Sequence, residues 1–140
     1  MSNAEKVLYT GKTHTTGGRD GATRSDDERL EVKLAPPGSS APGTNPEQMF
    51  GAGWSACFIG AMGLAAGRLK VALPRDTAVD AEIDLVMRDE AYSLRARLNV
   101  SLPGVERDVA HQLIELAHQT CPYSKATRGN IDVEITLAEV

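Results

Sequence analysis

The chain has 140 residues and a formal net charge of −4, with 41% apolar and 24% charged residues. That length fits one domain, 1–140, able to bury a core without a metal or a disulfide framework. No basic stretch points to nucleic acid, and no run of about 18 apolar residues escapes polar or small interruptions as a membrane span would. Met1 to Lys6 lack the basic-then-apolar pattern of a signal peptide, so a cytoplasmic, reducing setting is expected. Two cysteines in such a setting have redox or nucleophilic chemistry, or are simply small buried apolar residues.

In chain order, residues 5–14 read as a strand, with Val7 and Tyr9 on one face and Leu8 on the other. The run Thr16-Gly17-Gly18-Arg19-Asp20-Gly21 is a turn, because three glycines and an Asp-Gly pair break regular structure. Leu30, Val32 and Leu34 alternate with Glu31 and Lys33 in a half-buried strand. Residues 35–44, rich in Pro, Gly and Ser, form a flexible loop. Asn45-Pro46-Glu47-Gln48 starts a helix: Asn caps, Pro fits the first turn, and Gln48 completes a capping box. The helix runs to about Leu69 with no charge between Gln48 and Arg68. Met49, Phe50, Trp54, Phe58, Ile59, Met62 and Leu64 fall on several of its faces, so a central helix buried all round is expected. It carries Cys57.

Residues 77–87 and 91–101 are strands joined by a hairpin turn at Asp89-Glu90, with Tyr92, Leu94, Ala96, Leu98 and Val100 on one face. Pro103-Gly104 opens a helix over about 105–119, with Val105, Val109, Leu113 and Leu116 in helical register. It stops near Cys121-Pro122, since proline disfavours helix in the residue before it. Ile131, Val133, Ile135 and Leu137 alternate in a last strand. Strands and helices are segregated, which gives an α+β class with an antiparallel sheet.

Desolvation makes Cys57 inert unless a cation reaches it. Arg19, in its glycine-rich turn, is one candidate, since glycines let backbone approach closely; a solvated turn arginine is the plainer reading. Glu47 is the acid nearest the central helix, and as a first-turn charge it also has a plain reading. Ten helical residues put it about 15 Å from Cys57 along the axis, and on another face. The two meet only if the helix breaks near Gly51 and Gly53, or if Glu47 serves a second copy of the chain. His111 and His118 share a helix face but are too widely spaced and too few for zinc, so no metal is expected. No motif supports a Cys-His hydrolase.

Four segments occur together and in order: Thr16 to Gly21; Gly43-Thr44-Asn45-Pro46-Glu47-Gln48; Trp54-Ser55-Ala56-Cys57-Phe58; and Cys121-Pro122-Tyr123-Ser124, running on through Ala126-Thr127-Arg128-Gly129-Asn130-Ile131. Across nearly the whole length the chain resembles the organic hydroperoxide resistance (Ohr) proteins of the OsmC/Ohr superfamily. The resemblance implies an intertwined homodimer with central helices enclosed by antiparallel sheet. It implies a cysteine peroxidase in which Cys57 attacks the peroxide, Cys121 resolves it as a Cys57–Cys121 disulfide, and Arg19 and Glu47 hold the thiolate. It implies no bound cofactor, and a lipoylated protein whose dihydrolipoyl arm is the reductant. Met49, Phe50, Trp54 and Phe58 would then line a pocket favouring alkyl or lipid hydroperoxides, at roughly 0.8 kcal/mol per buried methylene. Two rivals remain at this level: an OsmC-type peroxidase of broader peroxide use, and a non-catalytic lipid-binding module with inert cysteines.

Overall fold

A computed structural model describes residues 4–139; residues 1–3, which open the N-terminal stretch read for a signal peptide, lie outside it. The chain divides into two compact units, Met1–Pro46 and Glu47–Val140.

In the first unit, β1 (Thr13–Thr16), β2 (Ala22–Ser25) and β3 (Glu31–Lys33) form an antiparallel sheet in that order. The strand expected over residues 5–14 is thus shifted and shortened. Neither sheet's register extends to residues 5–11. Val7, Leu8 and Tyr9 are 78%, 86% and 81% exposed. β2 carries no apolar alternation to announce it. Its buried residue is Thr23, whose hydroxyl shares a 2.7 Å hydrogen bond with that of Thr15 across the β1–β2 ladder. Between β1 and β2 the chain reverses through a 3₁₀ turn, Gly18–Asp20. Gly17 has a φ of 75°, and a Cβ at Gly21 would lie 1.8 Å from the Thr16 carbonyl oxygen, so the turn closes only around glycine. The expected loop after β3 is pinned at its base: Ala35 N–H donates to the Thr44 carbonyl and Thr44 N–H to that of Lys33, both at 2.9 Å.

The second unit is built on α1 (Pro46–Leu69), which begins and ends where the caps and periodicity place it. The hairpin β4 (Ala78–Arg88) and β5 (Ala91–Ser101) follows the expected register closely. Asp89 and Glu90 both take positive φ, 53° and 64°, the geometry that turns two strands in two residues. One hairpin face pairs Val79 with Val100, Ala81 with Leu98 and Ile83 with Ala96 against the core. The other is ionic: Asp84 accepts from Arg95 at 2.6 Å and from Arg97 at 2.8 Å, and Arg97 also donates to Glu82 at 2.8 Å.

α2 (Arg107–Thr120) starts two residues later than the apolar spacing suggests, because Glu106 is its cap and accepts from Asp108 N–H at 2.8 Å. A further short helix, α3 (Pro122–Thr127), follows at once; it is too short to show a period, and proline at its first position starts it. The last strand, β6 (Asp132–Leu137), pairs with β5 in parallel, where an antiparallel partner was expected. Parallel neighbours need a crossover, and α2 with α3 supply it.

Trp54, Phe58 and Met62 of α1, Leu98 and Val100 of β5, and Leu113 of α2 are completely buried together. Burying each such side chain contributes about 1.5–3 kcal/mol. Two expectations about α1 need correction. It is not buried all round: Ala52, Ala56, Gly60, Gly63, Leu64 and Gly67 form an exposed uncharged face, with Leu64 69% exposed. It also has the length and hydropathy of a membrane span. Its buried side packs in the core just described, and 39% of that apolar stretch is buried there.

Candidate active site

One side of α1 presents Phe50, Gly53, Trp54 and Cys57, residues spaced i, i+3, i+4 and i+7 and therefore stacked along the helix. α3 lies along this stripe. A Cβ on Gly53 would come 3.4 Å from the Tyr123 hydroxyl, so the missing side chain leaves room for that ring. The Phe50 ring sits 5.4 Å from Trp54 and 6.1 Å from Tyr123, centre to centre, both tilted. Trp54 Nε1 donates to Ser124 Oγ at 3.2 Å in a fully buried pair.

At the end of the stripe the two sulfurs meet. Cys121 Sγ lies 3.3 Å from Cys57 Sγ, and both thiols are free. A disulfide needs about 2.05 Å, so modest side-chain rotation closes the gap. Cys121 is fixed where α2 ends and α3 begins: its N–H donates to the Ala117 carbonyl at 2.8 Å, and its carbonyl accepts from Lys125 N–H at 2.9 Å. Arg128 reaches back to the His118 carbonyl in the last turn of α2 and ties the far end of α3 to it. Cys121 is completely buried, whereas Cys57 keeps some exposure.

Burial pushes the Cys57 thiol above its ordinary range, and Cys121 adds to this, first through the hydrogen bond between the two sulfurs and then through the repulsion of two thiolates. The Tyr123 backbone N–H, donating to Cys57, opposes both. The balance is a thiol raised above its ordinary range, the direction that desolvation in an apolar helix imposes.

The other candidates fall as follows. Glu47 stands in the first turn of α1, which runs unbroken through Gly51 and Gly53 to Leu69, so a break that would bring it to Cys57 on the same helix does not occur. Arg19 belongs to the first unit and is exposed in its 3₁₀ turn. Met49 and Phe50 are half-buried, as pocket walls would be. Trp54 and Phe58 are not walls: both have no exposed surface and belong to the core. Tyr123 and Ser124, which sequence reasoning quoted but gave no role, complete the stripe. Their signal was adjacency to Cys121.

The exposure difference has a direct chemical consequence. In the folded, reduced protein, iodoacetamide should alkylate Cys57 about tenfold or more faster than Cys121, as read by peptide mass spectrometry. Equal rates would mean that Cys121 is not sealed in the core.

Comparison with known proteins places this arrangement. The OsmC-like protein family matches over residues 37–136. The organic hydroperoxide resistance protein of Xanthomonas axonopodis pv. citri (strain 306) is 44% identical over 142 residues, covering 99% of this chain and 100% of that protein. The crystal structure of the organic hydroperoxide resistance protein OhrB of Bacillus subtilis matches with a TM-score of 0.88 at 36% identity, covering 94% of this chain and 100% of that one. An organic hydroperoxide resistance protein from Elizabethkingia anophelis, with crystallant-derived thiocyanate bound, matches with a TM-score of 0.86 at 39% identity, covering 97% and 100%. In sequence and in fold alike, the chain belongs to the OsmC/Ohr family.

Proposed function

We propose that this protein is a cytoplasmic thiol peroxidase that defends against organic hydroperoxides, with Cys57 as the attacking sulfur and Cys121 as its disulfide partner. The observation that carries this reading is the pair of free thiols 3.3 Å apart, one partly exposed and one sealed. The names of the relatives, organic hydroperoxide resistance proteins, support the substrate class.

In this mechanism the Cys57 thiolate attacks one peroxide oxygen. The O–O bond breaks, the alkoxide takes a proton and leaves as an alcohol, and Cys57 becomes a sulfenic acid. The Cys121 thiol then attacks that sulfur; the S–S bond forms, the S–O bond breaks and water leaves. A dithiol donor restores both cysteines by exchange and departs as its own disulfide. A dihydrolipoyl arm on a lipoylated protein suits this step, being thin, largely aliphatic and able to close its own ring. Phe50, in the stripe, and the half-buried Met49 before it favour an alkyl or lipid hydroperoxide over hydrogen peroxide.

Arg19 supplies the missing charge. Burial disfavours the Cys57 thiolate, and a guanidinium favours it. Glu47 orients that guanidinium through a bidentate pair. Since α1 is unbroken, Glu47 serves the cysteine of a second copy, which makes the working form a homodimer. The exposed uncharged face of α1 and the exposed Leu85, Met87 and Tyr92 at the hairpin tip support a large partner surface.

Three experiments test this. With cumene hydroperoxide and dihydrolipoamide, Cys57→Ser should lose all turnover, whereas Cys121→Ser should complete one turnover and then accumulate Cys57 sulfenic and sulfinic acids. Loss of the first turnover in both variants would reverse the assignment, and faster wild-type cycling with thioredoxin than with dihydrolipoamide would overturn the donor. Arg19→Ala should raise the pH at which Cys57 becomes reactive, because the compensating charge is gone, and should slow peroxide attack at pH 7 by about tenfold or more for each unit of that rise. An unchanged pH profile would return Arg19 to an ordinary turn residue. Finally, slowed Glu47→Ala chains and inactive Cys57→Ser chains should regain activity when unfolded and refolded together, to a level above that of Glu47→Ala refolded alone, since a mixed dimer holds one complete site. No recovery would place Glu47 and Cys57 of one site on the same chain.

A further inference from the structure

The Trp54–Ser124 hydrogen bond has no part in the peroxide chemistry above, yet it is built around the two sulfurs. Trp54 lies three residues before Cys57 on α1, and Ser124 three residues after Cys121 on α3. Both side chains have no exposed surface, and the indole N–H donates to the hydroxyl at 3.2 Å. The surroundings are otherwise apolar: Phe58, Met62, Leu113 and Ala117 belong to the same cluster. An apolar core alone would bury α3 without fixing its rotation, because such contacts are non-directional. A buried hydrogen bond between two elements has direction, and it is costly to leave unmade.

α3 needs that direction. It has six residues, and its other aliphatic hydroxyl turns inward: Thr127 Oγ1 donates to its own helix's carbonyls, Tyr123 at 2.9 Å or Ser124 at 3.1 Å. Its backbone tie at Cys121 and the Arg128 side chain lead to α2. Across to α1 it offers the Tyr123 N–H to Cys57, the Tyr123 ring over Gly53 and the Ser124 hydroxyl on Trp54. The first of these ends on the sulfur that changes during the reaction; the bond to Trp54 does not.

We propose that the Trp54–Ser124 hydrogen bond is the positioning element of the resolving step: it sets the rotation of α3 against α1, so that Cys121 stays within reach of Cys57 after Cys57 is oxidised. The proposal rests on the peroxidase reading. In the step concerned, the Cys121 thiol attacks the Cys57 sulfenic sulfur, the S–S bond forms, the S–O bond breaks, and the hydroxyl leaves as water with the thiol's proton. Neither Trp54 nor Ser124 touches the reacting atoms. Their effect is on how long the sulfenic acid waits. A sulfenic acid that waits meets a second peroxide and becomes sulfinic, which does not return to the cycle.

The test is rapid-quench mass spectrometry after one equivalent of cumene hydroperoxide, on wild type, Trp54→Phe, Ser124→Ala and Ser124→Thr. The quantity read is the rate of Cys57–Cys121 disulfide formation divided by the rate of sulfenic acid formation. That ratio should fall about tenfold in Trp54→Phe, which keeps the ring and loses the donor, and in Ser124→Ala, which loses the acceptor. Ser124→Thr, which keeps a hydroxyl, should recover most of it. With excess peroxide, sulfinic acid at Cys57 should accumulate in the first two variants and not in the third, an outcome that loss of stability alone does not produce. A wild-type ratio in both Trp54→Phe and Ser124→Ala would overturn the inference and leave the peroxidase reading intact. A wild type that forms no disulfide would overturn the peroxidase reading, and this inference with it.

Discussion

A thiol set in an apolar helix is held in its neutral form by its surroundings, and the rest of the molecule is organised around that constraint. α1 must be apolar because one side of it forms the core with β5 and α2. Cys57 inherits that environment, and burial pushes its pKa up. The second unit answers in part, with a backbone N–H from Tyr123, while the second sulfur 3.3 Å away pushes in the same direction as burial. Neither is a positive charge. A cation for Cys57 has to come from outside the stripe of α1 and α3, which is why the proposed mechanism turns to Arg19.

The same constraint explains the crossover. Cys121 lies neither on the sheet nor on the central helix, but at the joint between α2 and α3. These two helices carry the chain from β5 to a parallel β6. A strand pair joined by a tight hairpin would leave no chain to spare beside α1. The crossover provides it, and Cys121-Pro122 marks the point where one helix stops and the other starts in a new direction. The carbonyl and N–H of Cys121 are both used, so its sulfur is held by backbone on either side.

Much of this was legible in the sequence, and the exceptions share a cause. α1 announced itself through Asn45, Pro46 and an uncharged run, and the β4–β5 hairpin through strict alternation about Asp89-Glu90. Both signals are local. β2 was missed because its buried residue is a threonine satisfied by another threonine, so no apolar period marks it. The strand at Val7 to Tyr9 was misplaced because alternation shows which faces a strand would have, not whether a neighbour exists to pair with it. The parallel direction of β6 follows from the path of the chain, which Val133, Ile135 and Leu137 do not encode. At the site, both cysteines could be singled out by residue type and by resemblance. That Trp54 and Phe58 belong to the core, and that Ser124 meets Trp54, depends on how α3 lies along α1, which no spacing within either segment reveals.

The turn between β1 and β2 distinguishes two kinds of intolerance to change. At Gly21 a single added carbon would strike the Thr16 carbonyl oxygen at 1.8 Å, so the position is closed by shape, whatever the chemistry of the new side chain. At Gly18 nothing lies within 4 Å of an added carbon, but its φ of 61° is one that side chains rarely adopt, so that position is closed by conformation and not by shape. Variants at 21 would therefore lose folded protein, whereas at 18 asparagine, which visits that conformation, would cost less than a β-branched residue. For protein engineering this makes the loop a bracket with one adjustable joint, where the choice of residue is set by backbone angle and not by room.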